Sequence, residues 1–251
     1  HCLKSLGAVT LLVVDNASTD GTPEILKSFS DQRLQIQMLP QNLGVGAGFN
    51  RGLDEAVRRR IPWLMILDQD SFLQRETMIQ LIKTGKNLLE NQKSVGAVFS
   101  LAQCQDYSDI IHYPMNWTGK GFVSVTGEGE LAGVPLQVDT SISSGALYRV
   151  SALTDIGGFN EAYFIDFVDH ECHLRLRRAG YTLWWDRNAP LIHNLGKIQR
   201  MTPDGLWIEH EPFRYYYMAR NMMNGYWRFG GMLAVKGLFG VVVTMSVLIC
   251  V

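Results

Sequence analysis

Five apolar residues in an unbroken run, Trp63-Leu64-Met65-Ile66-Leu67, lead directly into Asp68-Gln69-Asp70-Ser71. Such a run reads as a strand buried on both faces of a parallel sheet, which places the chain among α/β folds. The strand delivers two carboxylates to its carboxyl end, where open α/β sheets bind ligands. Residues two apart in an extended segment point the same way, so Asp68 and Asp70 can face one hard cation and leave its other positions to water and substrate phosphates. The pair thus proposes a metal–diphosphate site. Taken alone, two aspartates that end a strand and solvate a turn would look the same.

The remaining elements alternate around that strand. Thr10 to Val14 is a short β-branched and leucine-rich strand running into Asp15-Asn16-Ala17-Ser18-Thr19-Asp20-Gly21, a string of turn formers that marks a loop on the functional face. Thr22 as N-cap with Pro23 at the first helical position predicts a helix from Pro23 to Phe29. Leu34 to Leu39 reads as a strand nearer the edge, and Asn42-Leu43-Gly44-Val45-Gly46-Ala47-Gly48-Phe49-Asn50 opens a helix to about Arg59. Phe49 stands where a G-x-G-x-x-G fingerprint needs its last glycine, which argues against a dinucleotide site. A helix over Glu76 to Leu89 and an apolar strand over Val95 to Ser100 follow. This order is that of a doubly wound, mostly parallel sheet. Periodicity is lost from Leu101 to Val138, which predicts long loops or short antiparallel strands. Strands are expected again at Ser141 to Val150 and Tyr181 to Trp185, a helix between them from Asp169 to Ala179, and a long helix over Glu211 to Phe229.

With 251 residues, 47% of them hydrophobic, the chain can bury one sizeable core. A formal net charge of −1 and no long run of like charges exclude a nucleic-acid binder held by general electrostatics. Cys2, Cys104, Cys172 and Cys250 lie far apart without a C-x-x-C, so neither a zinc site nor a disulfide framework is indicated, and a cytoplasmic setting fits. His1 to Leu6 followed by Gly7 reads as the last turns of a helix. Gly237 to Val251 carries no charge over fifteen residues. That is short of the ~18–20 residues of a membrane span, and a buried helix, a membrane-surface helix or the first part of a longer span all fit it. The expected division is a domain over 1–230 and a C-terminal apolar helix over 231–251, in contact with the inner face of the membrane if it is a surface helix.

A second concentration of acids lies in Phe164-Ile165-Asp166-Phe167-Val168-Asp169-His170-Glu171. Asp169 and Glu171 begin a helix, where the macrodipole alone accounts for acidic residues. Flanking aromatics can also desolvate a carboxylate, raise its pKa and suit it to general-base work. His193 ends an apolar, strand-like run, and an isolated histidine of that kind is by default a hydrogen-bonded core residue.

Taken in order, these motifs resemble the family 2 glycosyltransferases of GT-A fold: Val14 to Thr22, Asn42-Leu43-Gly44 with Gly48-Phe49-Asn50, Leu67-Asp68-Gln69-Asp70, Ser144-Gly145-Ala146, Gly157-Gly158-Phe159-Asn160-Glu161, Asp169-His170-Glu171 with Leu174-Arg175, and Ala179-Gly180-Tyr181. The resemblance covers roughly residues 8 to 228. It implies a Rossmann-like GT-A fold in which Asp15 contacts the nucleobase, and Asn42, Gly48, Asn50 and Asp68 bind the nucleotide sugar. It implies that Asp70, with Asp68 and His193, holds Mg²⁺ or Mn²⁺, and that Asp169 takes the proton of the acceptor hydroxyl. Phe164 to Glu171 and His193-Asn194-Leu195-Gly196 look most like rhamnosyltransferases that use dTDP-L-rhamnose. The implied reaction is inverting transfer to a saccharide or lipid-linked acceptor in cell-surface polysaccharide synthesis.

Two departures from the family carry expectations of their own. The family's first strand, which lies between the strands at 10–14 and 63–67, precedes the first residue here, so strand 10–14 should stand beside a gap, pair directly with 63–67, or bond another molecule. His170 occupies a place where the family often has an apolar residue. Two rival readings are an aspartyl-phosphate phosphohydrolase with Asp68 as nucleophile and Asp70 as acid, and a non-catalytic nucleotide-sugar-binding module. The first would need a lysine and a further acidic pair on later strands, which the residue order does not supply.

Overall fold

The structure is a computed structural model, and it describes residues 9–91, 94–104, 110–127, 133–193, 198–202, 205–208 and 210–249. Parallel strands β1 (Leu11–Asp15) and β2 (Leu34–Met38) pair with each other, with α1 (Thr22–Lys27) between them in the chain. After α2 (Val45–Arg58), β3 (Trp63–Ile66), β4 (Ser71–Phe72) and α3 (Arg75–Asn91) comes β5 (Val95–Gln103), the spine of the main sheet. Short strands β6 (Ile111–His112), β7 (Met115–Trp117), β8 (Phe122–Ser124) and β9 (Leu136–Val138) occupy the stretch without periodicity. The chain continues through β10 (Ala146–Arg149), α4 (Val150–Asp155), a 3₁₀ turn over Glu161–Tyr163, α5 (Val168–Arg178), β11 (Thr182–His193), the hairpin β12 (Ile198–Thr202) and β13 (Gly205–Ile208), and α6 (Pro212–Ile249).

The main sheet has the order β3-β10-β5-β11-β4, with β6 on β5 and β9 on β11. Because β10 is antiparallel to both β3 and β5 while β11 is parallel to β5, strands β3, β5 and β11 run one way and β10 is inserted against them. The frame is α/β and of the expected kind. Its one reversed central strand is shorter than predicted: residues 141–145 turn into it, and Val150 already belongs to α4.

The doubly buried strand is β5, whose first six residues are all buried. In β3, by contrast, Trp63, Leu64 and Met65 are half-buried, because that strand has a hydrogen-bonded neighbour, β10, on one side only among the described residues. Strand β1 does not pair with β3 among the described residues, so direct pairing of 10–14 with 63–67 is not what the structure has. Side chains alternate between two cores with the period of two that strands impose. Ala97, Phe99, Ala146, Tyr148, Leu183 and Trp185 pack with α2, α4 and α5 on one face, while Val98, Leu147 and Trp184 pack against α3 on the other. The first core is the larger, and it lies directly beneath the acids at the start of α5.

Helix α1 begins one residue earlier than its sequence predicts. Thr22 is inside it, the cap position is Gly21, and the backbone N–H of Thr22 is taken by Asp20 Oδ1 at 2.9 Å, so an aspartate turn replaces the predicted threonine cap. The helix of residues 211–229 is α6, and it runs on unbroken to Ile249. Among the described residues no helix is long and apolar enough to cross a membrane.

Candidate active site

The carboxyl end of β3 gathers residues from three parts of the chain. The N–H of Asp68 donates to Ser144 Oγ at 3.1 Å, Ser144 Oγ lies 2.5 Å from Ser71 Oγ, and Ser71 Oγ lies 2.8 Å from His193 Nδ1. His193 Nδ1 is also 3.4 Å from Asp70 Oδ1. Strand β11 brings His193 here by pairing it opposite Ser71 of β4, 122 residues away in the chain. The outcome is one donor cluster: a carboxylate oxygen from each of Asp68 and Asp70 and a ring nitrogen of His193 all lie within 4.8 Å of one another. Oxygen-rich donors with one imidazole suit Mg²⁺ or Mn²⁺.

Burial pushes the Asp68 carboxyl above its ordinary value, and the charges of Asp70 and Asp169 push it the same way, against the opposing pull of His193 and Arg214. A carboxylate crowded by like charge is stabilised by a cation, so the electrostatics of the cluster agree with its donor set. Asp169 therefore lies within electrostatic reach of Asp68, although the two belong to different elements.

A second group of loops forms around Asn16. Its side-chain amide donates to the Gly44 carbonyl at 2.9 Å, and its oxygen accepts the Leu43 N–H at 2.8 Å. Asp15, buried at the end of β1, accepts the Ser18 N–H at 3.0 Å and rigidifies the same turn. Asn42 Oδ1 accepts the Gly44 N–H at 3.0 Å. Gly48, one turn into α2, has open space where a side chain would project. Asn50 has another engagement: its amide donates to the Phe159 carbonyl at 2.9 Å and Glu161 Oε1 at 2.8 Å, and its oxygen accepts the Phe159 N–H at 2.8 Å. Both ends of that side chain are spent on the loop before α5.

The acids at 166–171 differ sharply in their partners. Arg214 of α6 grips Asp166 with Nε at 3.0 and 3.2 Å and Nη2 at 2.9 Å. Glu171 is fully buried and held by Arg175, with Nε at 2.9 Å from both oxygens, and by Arg228 at 2.8 Å. Asp169 has no arginine partner in the described contacts; its Oδ1 accepts the backbone N–H of His170 at 2.8 Å, and its side chain is 20% exposed. Asp166 and Glu171 are thus each clamped by guanidinium, and Asp169 is the one of the three without an arginine partner among the described contacts.

The segment leading to Asp169 is bent in a way its residue types do not announce. Phe164, Asp166 and Phe167 all have positive φ, at 63°, 61° and 65°. Such angles persist in non-glycine residues only where surroundings over-determine them. Here α6 supplies that restraint: the amide of buried Asn221 lies 2.7 Å from the carbonyls of Tyr163 and Ile165 and 2.8 Å from that of Asp166. Ser71, Ser144, Asn16, Asn221 and Arg214 are the residues missed by sequence reasoning as parts of this site. Of these, Ser71, Asn16 and Ser144 lay within the quoted motifs.

Residues 2–157 match the model of the family described as glycosyl transferase family 2. The chain belongs to that family. Among curated relatives of this glycosyl transferase, the dTDP-rhamnosyl transferase RfbF of Shigella flexneri is 27% identical over 212 residues, covering 84% of this chain and 68% of that protein. An N-acetylglucosaminyl-diphospho-decaprenol L-rhamnosyltransferase of Mycobacterium tuberculosis is 25% identical over 246 residues, covering 88% and 77%. Among solved structures, GalNAc-T7 with UDP, GalNAc and Mn²⁺ matches with a TM-score of 0.60 at 11% identity, over 77% of this chain and 39% of that one. The mannosyltransferase PcManGT of Pyrobaculum calidifontis, in complex with GDP-Man and Mn²⁺, matches with a TM-score of 0.54 at 16% identity, over 86% and 53%. These likenesses establish the GT-A fold of the family 2 chain.

Proposed function

We propose that this glycosyltransferase moves L-rhamnose from dTDP-L-rhamnose to a saccharide or lipid-linked acceptor, with inversion and with a divalent cation. The observation that carries the reading is the cluster of Asp68, Asp70 and His193, with donor atoms within 4.8 Å, at the carboxyl end of β3. Support for rhamnose comes from the names of the two relatives, and support for manganese from the neighbours solved with Mn²⁺.

In this reading Asp70, Asp68 and His193 hold Mg²⁺ or Mn²⁺. An ion held there would neutralise the charge that develops on the departing diphosphate. Asp15 reads the nucleobase, and the loop of Asn42 with the open face of Gly48 receives the rest of the nucleotide sugar; Asn50 serves by fixing the loop of residues 158–161. The acceptor hydroxyl attacks the anomeric carbon from the side opposite the diphosphate while Asp169 takes its proton. One bond forms to the acceptor oxygen, the bond to the diphosphate oxygen breaks, and the single displacement inverts the anomeric centre. We assign the transferase domain to residues 1–230 and contact with the inner face of the membrane to the apolar stretch 231–251.

A screen of nucleotide sugars with Mn²⁺, scoring release of nucleoside diphosphate, tests the reading. Preferential turnover of dTDP-L-rhamnose is expected. Nucleotide binding by calorimetry with no turnover of any donor would favour a non-catalytic binding module instead.

A further inference from the structure

Beneath Asp169 lies a row of four polar side chains that the transfer chemistry above does not use. Tyr148 is fully buried in the middle of β10, and the hydrogen bond of its hydroxyl is to His173 Nε2, at 2.7 Å. His173, also fully buried, turns its Nδ1 to Thr140 Oγ1 at 2.8 Å. The same oxygen lies 2.7 Å from Nδ1 of His170, and His170 Nε2 stands 3.9 Å from Asp169 Oδ1. His170 and His173, three apart on α5, thus converge on one threonine hydroxyl.

Counting protons gives this row a direction. Burial keeps the Tyr148 phenol protonated and pushes His173 down to about 3, so His173 is neutral and carries one N–H. A buried phenol hydrogen has to be donated, and His173 Nε2 is the acceptor in reach. His173 then carries its proton on Nδ1 and donates it to Thr140. The threonine hydrogen is left for His170 Nδ1, which must accept. When His170 carries a single ring proton, that proton therefore sits on Nε2, on the side of Asp169. Run in reverse, the row would leave the phenol hydrogen without an acceptor and aim a ring lone pair at a carboxylate.

We propose that Tyr148, His173, Thr140 and His170 form a hydrogen-bond chain of fixed polarity that turns the Nε2–H of His170 toward Asp169, which makes His170 a positioning residue for that carboxylate. The proposal rests on the reading of Asp169 as base. Packing supports it: His170 is enclosed by the rings of Phe122 and Phe167, with centroids at 5.2 and 5.5 Å, and His173 lies against Phe99 at 4.8 Å and Tyr148 at 5.7 Å. Aromatic rings thus pack against both imidazoles. An apolar residue at position 170 would leave the carboxylate with only the backbone N–H that it already accepts.

Nitrogen NMR of the whole chain labelled with ¹⁵N-histidine reads the tautomers directly. His170 is expected as the Nε2–H form and His173 as the Nδ1–H form. Thr140→Val removes the central hydroxyl and should leave His170 a mixture of tautomers. Diphosphate release from dTDP-L-rhamnose with Mn²⁺ should then fall about tenfold in kcat with KM for the donor unchanged, part of the 10²–10⁴ that a general base supplies. Thr140→Ser, which keeps the hydroxyl, should restore both tautomer and rate. Tyr148→Phe tests the far end of the chain without substituting a residue of α5, and should mix the His173 tautomers. His170 found as the Nδ1–H form, or a Thr140→Val protein with unchanged His170 signals and rate, overturns the proposal. Full turnover by Asp169→Asn, whatever the tautomers, overturns the base assignment and the role of the chain with it.

Discussion

Gly44 and Phe164, 120 positions apart by number, meet backbone to backbone: the Phe164 carbonyl accepts the Val45 N–H at 2.7 Å, and a Cβ on Gly44 would overlap that same oxygen. The nucleotide-side loop at 42–50 is thereby locked to the bent segment that ends in Asp169. With φ at +86°, Gly44 also has a conformation that other residues adopt at a cost.

Gly44→Ala should therefore be costly twice, once in backbone strain and once in the displaced Phe164, for a loss of about 2 kcal/mol or more. In a chain of this size that lowers Tm by about 4–8 °C. Gly48→Ala is the contrast, since its side chain would enter open space within a helix and alanine is the better helix former by roughly 0.5–1 kcal/mol. Thermal unfolding of both should show a fall for the first and none for the second. A higher donor KM for Gly48→Ala with stability intact marks the open face as the donor's.

The three acids of 166–171 should separate by kinetics. Asp169→Asn should cut kcat by about 10²–10⁴-fold with donor affinity nearly unchanged. Glu171→Gln should act on stability, because it leaves Arg175 and Arg228 without their buried counter-charge. An Asp169→Asn enzyme with half its activity would move the base to Asp166, and Arg214 would then have to release it.

Asn221→Ala removes the amide that ties down three carbonyls of the positive-φ segment. Leaving buried acceptors unpaired costs about 1–3 kcal/mol each before relaxation, so a loss near the top of that range is expected. Denaturant titration checks it. A drop in kcat at temperatures where the variant is still folded would show that the bend also aims Asp169.

Stability should fall on mild acidification. Burial lowers His173 to about 3 and His112 to about 4, so between those values and the ordinary 6.5 the unfolded chain binds protons that the folded chain refuses. Their contribution is fully present above 6.5 and is lost as pH falls, by about 1.4 kcal/mol per pH unit for each histidine. Equilibrium denaturation at pH 7 and pH 5 measures the slope, and His173→Asn should remove its share.

Much of this architecture is written locally, and the exceptions are instructive. The D-x-D pair is legible in the sequence, but not the geometry that joins it: β3 ends at Ile66, and Asp68 and Asp70 lie in a turn in which the Ser71 N–H donates to the Asp68 carbonyl at 3.1 Å, not in the strand that their spacing suggests. The burial of β5 against the half-burial of β3 is not legible, since both are apolar runs and only sheet order decides which has two neighbours. His193 gains its meaning from Ser71 and Asp70, which no local pattern joins to it. Asn50 illustrates the opposite hazard: it sits in a motif whose resemblance points to the donor, while the loop at 158–161 takes up its whole hydrogen-bonding capacity. The bend at 164–167 was hidden because two of its three positive-φ residues, Phe164 and Phe167, are not of a type that favours the left-handed region, and its restraint, Asn221, lies on a distant helix. The spacing of His170 and His173 was visible on α5, but Thr140, which joins them, was not.

Metal-dependent glycosyl transfer at the cluster of Asp68, Asp70 and His193 is most directly tested by measuring dTDP-L-rhamnose binding and turnover in the parent chain and in Asp70→Asn, each with Mn²⁺ and with chelator. The account predicts that the parent turns over donor only with Mn²⁺, and that Asp70→Asn abolishes turnover and weakens nucleotide-diphosphate binding only when metal is present. Turnover by the parent in chelator, or the same loss of binding in Asp70→Asn with and without metal, would contradict it.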